Sequence, residues 1–152
     1  NNFVKTIIRL AQERETLKIV SDQYGCPTSA KDLAEAILEV VKRFLRGTPP
    51  VWGTYHFCNR GVTTWHEFAM EIVKLASGRV SLKVKEILPI TTDQYPLPAP
   101  RPIYSALDTS RFFQTFGVQP RTWQNSLREV IRELYPVIGK NKGKISGPAV
   151  IP

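Results

Sequence analysis

The stretch that decides the fold lies at residues 22–34 and reads DQYGCPTSAKDLA. Its first half is a polar loop closed by Pro27, and its second half enters a helix. Ser29 is placed to cap that helix, and the side chain of Asp32 three residues later can accept a hydrogen bond from the Ser29 amide, as in a capping box. A loop held beside a helix N-terminus can bind an anionic ligand; the alternative is an ordinary strand-to-helix connection.

Outward from this stretch, hydrophobic periodicity predicts helices joined by short strands. Helices are predicted at residues 3–14, 30–46, 64–77 and 108–117, and from Thr122 onward. Strands are predicted at residues 17–20, 54–58 and 80–84, where β-formers cluster or apolar residues alternate. This mixture of elements predicts an α/β chain built of helices with a few short strands.

A proline-rich segment follows the last predicted strand. Residues 91–107 carry prolines at 96, 98, 100 and 102, and Arg101 lies between the last two. Alternating prolines keep a segment extended and stiff, so Arg101 has little freedom left to lose when it binds. Its guanidinium can hold a phosphate through two hydrogen bonds, and the alternative is a salt bridge to Asp108.

Two tryptophans occupy equivalent places in the pattern. Trp65 and Trp123 each follow a threonine that begins a helix. We expect both rings to anchor their helices in the core, and the alternative is that they stack on a ligand.

Length and composition predict one packed domain. The chain has 152 residues, of which 42% are hydrophobic, and we assign residues 1–136 to the domain. Residues 137–152 offer little to pack, so we expect them to form a disordered tail. Cys26 and Cys58 fit two free thiols in the reducing cytoplasm, and no Cys/His spacing predicts a metal site.

The charge balance narrows the choice of partners. The net charge is +8, but the basic residues are scattered rather than clustered, which argues against nucleic acid. A basic chain also suits a metabolite that contains a diphosphate. No apolar run approaches the ~18 residues that a membrane-spanning helix needs, so we expect no membrane partner.

Taken together, the motifs resemble those of the dTDP-4-dehydrorhamnose reductases. They occur in that family's order and extend from residue 1 to about residue 135. The segments that carry the resemblance are residues 2–6, 22–34, 53–56, 63–69, 100–102 and 105–109, and the helix that begins at Trp123.

The resemblance implies an extended short-chain dehydrogenase/reductase with an N-terminal Rossmann part and a C-terminal substrate-binding part. It implies reduction of the 4-keto group of a dTDP-linked deoxysugar by NADPH. This chain resembles only the C-terminal half. The family's glycine-rich NADPH loop and Tyr-x-x-x-Lys pair would precede Asn1, so we assign no catalytic or cofactor-binding residue here. We expect the fragment alone to be inactive.

The resemblance also implies a set of residues that face the dTDP-sugar. These are Asn2, Phe3, Gln23, Cys26, Pro27, Thr28 and Arg101. Some family members form dimers bridged by magnesium through two glutamates. Glu133 can match one of them, but Lys31 beside Asp32 stands where the other is expected, so we assign no metal. The resemblance also implies that the helix at 30–46 and the strand at 54–58 complete a Rossmann sheet whose other strands this chain lacks. Their unpartnered apolar faces predict a homodimer or marginal folding.

Two other functions stay open from the sequence. One is a non-catalytic regulator, because the methionine adenosyltransferase regulatory subunit resembles the same family. The other is an epimerase or reductase that acts on a different nucleotide sugar.

Overall fold

The computed structural model describes residues 2–96 and 98–136, and the predicted tail at 137–152 lies outside these residues. The helices of the described part are α1 (Phe3–Glu13), α2 (Ala30–Leu45), α3 (Trp65–Ala76), α4 (Ser110–Phe116) and α5 (Trp123–Leu134). Its strands are β1 (Thr16–Val20), β2 (Tyr24–Gly25), β3 (Thr63–Thr64) and β4 (Glu86–Ile90), and a 3-10 turn spans Thr92–Gln94. The predicted mixed α/β class is confirmed.

Local capping explains where two helices begin. The side chain of Asn2 accepts a hydrogen bond from the Lys5 amide at 3.0 Å and so caps α1. At α3 the Thr64 hydroxyl accepts from the Glu67 amide, while the Glu67 carboxylate accepts from the Thr64 amide. This reciprocal pair is a capping box, and it lies at the threonine that the sequence predicts to begin the helix.

The predicted capping box of α2 is wrong. The Ser29 side chain makes no cap hydrogen bond, and Asp32 turns inward with only 5% of its surface exposed. The Asp32 carboxylate accepts hydrogen bonds from Asn59 at 2.6 Å, from Arg121 at 3.2 Å and from the Ser126 hydroxyl. A buried carboxylate requires several donors, and these lie on distant segments that local sequence does not reveal.

The strands form two small sheets. β1 and β4 pair in parallel, from Thr16 opposite Glu86 to Val20 opposite Ile90. The chain crosses between them through α3, which contacts both strands. β2 and β3 form an antiparallel pair of two residues each.

The strand predicted at 80–84 is wrong, because the strand lies at Glu86–Ile90 instead. The amides of Lys83 and Val84 both donate to the Ala11 carbonyl, at 2.8 and 2.9 Å. This segment therefore satisfies the C-terminal end of α1 rather than a neighbouring strand. The apolar alternation reflects the packing of Val80 and Leu82 against the core.

The strand predicted at 54–58 is also wrong, because the described backbone there is irregular. Its aromatic side chains pack on α4: the Tyr55 ring lies 4.9 Å from Phe116, and the Phe57 ring lies 5.4 Å from Phe112. Strand propensity largely reports side-chain packing on a half-buried surface, and here that surface is a helix.

The core lies between three helices. We call this cluster the three-helix core; α1, α3 and α5 contribute Ile7, Ile8, Phe68, Ala69, Ile72, Ala76, Trp123, Leu127 and Ile131. Helix α2 differs, since Asp32 and Ala36 are its only buried residues. Its apolar stripe, which we call the α2 face, consists of Leu33, Ile37, Val41 and Phe44, all exposed.

Candidate functional site

The segment that follows β1 lies beside the proline-rich segment. The Tyr24 amide donates to the Ile103 carbonyl at 2.7 Å, and the Ser105 amide donates to the Tyr24 carbonyl at 2.9 Å. The Ser105 hydroxyl donates to the same carbonyl at 3.0 Å. These backbone bonds bring residues 22–27 and Arg101 to one side of the molecule, although about 75 residues separate them in sequence.

Two adjoining cavities open where these segments meet. The first, which we call the loop cavity, has a volume of about 290 Å³ and is bordered by residues 23–27, 63–65, 101–102 and 105. The second, which we call the helix cavity, has a volume of about 430 Å³ and lies against α1, β1 and β4. Gln23, Trp65 and Arg101 border both cavities and so mark the junction between them.

Aromatic rings form one wall at the junction. The Trp65 ring lies 4.8 Å from Phe3, and Phe3 stacks on Phe68 at 5.6 Å. Trp65 is 36% exposed, so the expectation that it is a core anchor is wrong, whereas Trp123 is buried as predicted. Its position in the first turn of α3 places the indole beside the loop cavity, where a flat ligand could stack on it.

The charge around the cavities is positive. Arg101 borders both, and Arg14 and Lys18 border the helix cavity. Among the described residues no carboxylate lines either cavity. Arg101 is exposed and forms no described ion pair with Asp108, which instead accepts a hydrogen bond from the Ser110 amide. This distribution of charge favours an anionic ligand.

A chain of hydrogen bonds through Asp22 and Thr92, which we call the relay, holds the Gln23 side chain in place. Asp22 accepts from the Thr92 amide at 2.9 Å and from the Thr92 hydroxyl at 2.7 Å. These two bonds hold the pKa of the Asp22 carboxyl below its ordinary value. The Gln23 amide nitrogen in turn donates to the Thr92 hydroxyl oxygen at 3.1 Å.

The remaining predicted site residues occupy different places. Cys26 and Pro27 border the loop cavity, and Phe3 borders the helix cavity. Thr28 does not line a cavity; its hydroxyl donates to the Cys26 carbonyl at 3.0 Å and accepts from the Asn59 amide at 3.3 Å. Asn2 likewise lies outside both linings and caps α1.

Both cysteines are free. Burial raises the pKa of the half-buried Cys26 thiol to about 11, and the neighbouring Cys58 thiol adds to the shift. Cys58 is buried and donates to the Leu107 carbonyl. Within residues 2–96 and 98–136, no three His, Cys, Asp or Glu side chains converge to hold a metal ion. None of the helices in the same residues is long and apolar enough to cross a bilayer.

By fold, the chain falls in the class of mixed α/β units, and its site is a pair of open cavities bordered by basic residues. A family model described as the RmlD substrate binding domain matches residues 1–135, and the chain belongs to this family. The resemblance to dTDP-4-dehydrorhamnose reductases is thereby confirmed.

Individual relatives agree with this assignment. The chain is 40% identical over 134 residues to the dTDP-4-dehydrorhamnose reductase of Aggregatibacter actinomycetemcomitans, covering 86% of this chain and 45% of that protein. It is 39% identical over 133 residues to the spore coat polysaccharide biosynthesis protein SpsK of Bacillus subtilis, covering 88% and 42%. It therefore spans less than half the length of these relatives.

Solved structures show the same fold. A dTDP-4-dehydrorhamnose reductase of Clostridium acetobutylicum matches with a TM-score of 0.76 and 38% identity, over 88% of this chain and 44% of that one. The enzyme of Bacillus anthracis, solved in complex with NADP, matches with a TM-score of 0.74 and 35% identity, over 88% and 43%. The predicted correspondence to the C-terminal portion of a Rossmann-type reductase is confirmed.

Proposed function

We propose that this chain is the substrate-binding part of a dTDP-4-dehydrorhamnose reductase and binds a dTDP-linked deoxyhexose. The observation that carries this proposal is the pair of adjoining cavities, which have Arg101 and the Trp65 indole at their junction, Arg14 and Lys18 along the helix cavity and no described carboxylate. A nucleoside diphosphate sugar needs such a combination, because it carries two negative charges, a flat base and a hydroxyl-rich ring.

In this proposal the junction residues contact different parts of the ligand. Arg101 binds the diphosphate through its planar guanidinium, and Trp65 offers its exposed ring to the base or the sugar. Arg14 and Lys18 add positive charge along the helix cavity. Cys26 and Pro27 shape the wall of the loop cavity, while Thr28 and Asn2 hold the backbone beside it through the hydrogen bonds described above.

The reduction itself needs a second component. The sequence contains no G-x-G-x-x-G phosphate loop, and the relatives are more than twice the length of the matched region. We propose that the complete reductase binds NADPH through a portion outside this chain, in the reducing cytoplasm that the two free thiols favour. Hydride transfer requires cofactor and carbonyl to be held together, so this chain alone is expected to have no reductase activity.

Calorimetric titration with dTDP, UDP and NADPH tests the proposal. We expect binding of dTDP, weaker binding of UDP and none of NADPH. Arg101→Gln should weaken dTDP binding about tenfold or more, because it removes a charge-assisted contact to phosphate. Arg128→Gln is the matched control, since Arg128 is exposed on α5 away from both cavities. Equal weakening by both variants would mean that only the overall charge matters and would remove Arg101 from the site.

A second candidate, left open by the sequence, is an enzyme for another nucleotide sugar, since the name of one relative specifies a polysaccharide and no dTDP-sugar. The SpsK protein is as similar to this chain as the reductases are, and its name refers to a spore coat polysaccharide. Tighter binding of UDP than of dTDP in the same titration would support that candidate over the first.

A further inference from the structure

The relay of Asp22, Thr92 and Gln23 fixes the direction of one hydrogen bond at the cavity junction. The relay joins residues 69 and 70 positions apart, and it connects the loop after β1 to the 3-10 turn after β4. Gln23 is only 7% exposed, although it borders both cavities.

The chemistry of the three groups allows a single arrangement. An ionised carboxylate can only accept, so the Thr92 hydroxyl must give its one proton to Asp22. The Thr92 oxygen is then left as an acceptor, and only the amide nitrogen of Gln23 can donate to it. The Gln23 carbonyl oxygen Oε1 therefore points away from Thr92.

That oxygen remains available. It accepts no hydrogen bond from the described residues. It is also not fully enclosed, because among these residues the one fully enclosed side-chain N or O atom without a partner is Trp123 Nε1. Oε1 therefore still reaches open space, and the space that Gln23 borders is the two cavities. An acceptor held in one orientation within a nearly buried side chain discriminates well between ligands, because a mismatched group there stays unpaired.

We propose that Gln23 Oε1 accepts a hydrogen bond from a donor group on the ligand, and that Thr92 and Asp22 are positioning residues that fix the orientation of the Gln23 amide. This inference rests on the proposed function and identifies what part of the ligand is recognised. A dTDP-hexose offers two donors of this kind, the imide N–H of thymine and the hydroxyl groups of the sugar. Trp65 lies beside Gln23 at the junction, so a planar ring stacked on it could bring its edge to Oε1.

The test compares the wild-type chain with Thr92→Val and Thr92→Ser. Valine has nearly the shape of threonine but no hydroxyl, so the Gln23 amide loses its anchor and can present nitrogen to the ligand. Serine keeps the hydroxyl and serves as the matched control. Unchanged thermal midpoints would show that all three chains fold alike.

Each chain is titrated by calorimetry with dTDP, with N3-methylthymidine 5′-diphosphate and with dTDP-glucose. We expect Thr92→Val to bind dTDP-glucose about tenfold more weakly and Thr92→Ser to stay within about twofold of wild type. If the donor is the imide, wild type prefers dTDP to its N3-methyl analogue and Thr92→Val loses that preference. If the donor is a sugar hydroxyl, Thr92→Val weakens binding of dTDP-glucose while binding of dTDP is unchanged.

Two further outcomes separate the possible failures. If wild type and Thr92→Val bind all three ligands equally, the role of Gln23 is overturned while the proposed function stands. If wild type binds neither dTDP nor dTDP-glucose, the proposed function is overturned together with this inference.

Discussion

The three-helix core and the α2 face are built from the same kind of sequence and end in opposite environments. Both consist of apolar residues at helical spacing. In the core, Ile72 is completely buried between α1, α3 and α5. On the α2 face, Ile37 is 55% exposed.

The difference shows that amphipathic periodicity identifies which side of a helix is apolar but not what covers it. The core stripes are buried by partners within the described residues, whereas the α2 stripe borders an open apolar groove, where the Phe44 ring lies 5.9 Å from Trp52. Polar contacts also hold helix α2, since the buried carboxylate of Asp32 bonds to Asn59, Arg121 and Ser126. A contiguous exposed apolar surface of this kind is typical of an interface.

The largest expected effect is a loss of core packing. Ile72→Ala should lower the free energy of unfolding by about 2–5 kcal/mol, because it leaves a cavity among fully buried side chains. Ile37→Ala should change it by less than about 0.5 kcal/mol, because the side chain is exposed and alanine favours a helix. Urea denaturation measures both. Comparable losses in the two variants would contradict the distinction and show that the α2 face is covered.

The hydrogen bonds of Asp32, which attach α2 to the rest of the chain, predict the next largest loss of stability. Asp32→Ala should cost about 3 kcal/mol, because Arg121 loses an ion-pair partner, while Asn59 and Ser126 keep only their longer bonds to backbone carbonyls. Glu35→Ala is the matched control, since Glu35 is exposed one turn along the same helix and should give a change within about 0.5 kcal/mol. Loss of less than a kilocalorie in Asp32→Ala would mean that apolar contacts hold α2 in place.

Two glycines extend the comparison to the backbone. Gly61 has φ +103°, and a Cβ there would lie 3.1 Å from the Trp123 ring. Gly47, at the end of α2, has φ +81° with nothing within 4 Å of its Cβ position. Gly61→Ala should therefore cost about 2–3 kcal/mol and Gly47→Ala about 1 kcal/mol. Alanine is strained at either backbone conformation, but only at position 61 does its Cβ displace a core ring. Thermal unfolding of the two variants gives the difference, and identical midpoints would argue against close packing at Gly61.

The variant with the smallest expected effect on folding should change the oligomeric state. We propose that the α2 face pairs with a second copy of the chain in a homodimer. Phe44→Glu should then shift sedimentation velocity from dimer to monomer, because it places a charge in the paired surface. Arg132→Glu, on an exposed position of α5, should leave the dimer intact. A wild-type chain that sediments as a monomer at every concentration would rule out this pairing.

Local signals predicted most of the helices well. The cap of α3 lies within four residues, from Thr64 to Glu67, and the apolar spacing of α1 is regular, so neither depends on distant parts of the chain. The strands predicted at 54–58 and 80–84 failed because their side chains pack on helices. Asp32 was misassigned for a related reason, since its donors lie 27 to 94 positions away.

The candidate site was only partly accessible from sequence. The loop at 22–27 and Arg101 stood out through proline, charge and spacing, and the structure brings them together through the backbone bonds of Tyr24. The prediction of Trp65 as a core residue is wrong because local sequence does not show whether a tryptophan after a capping threonine faces the core or a cavity. The support of Gln23 by Thr92 was invisible, because it depends on how two distant turns approach each other.

The environment of the two cysteines has a practical consequence for labelling. Alkylating reagents and maleimides react with the thiolate, and the raised pKa of Cys26 keeps this group as the unreactive thiol at pH 7. Burial shields Cys58 from the same reagents. A cysteine introduced on an exposed position should therefore take up a fluorophore or a spin label selectively, with both native cysteines left in place. Two such cysteines on opposite sides of the cavities would then allow distance measurements that follow ligand binding.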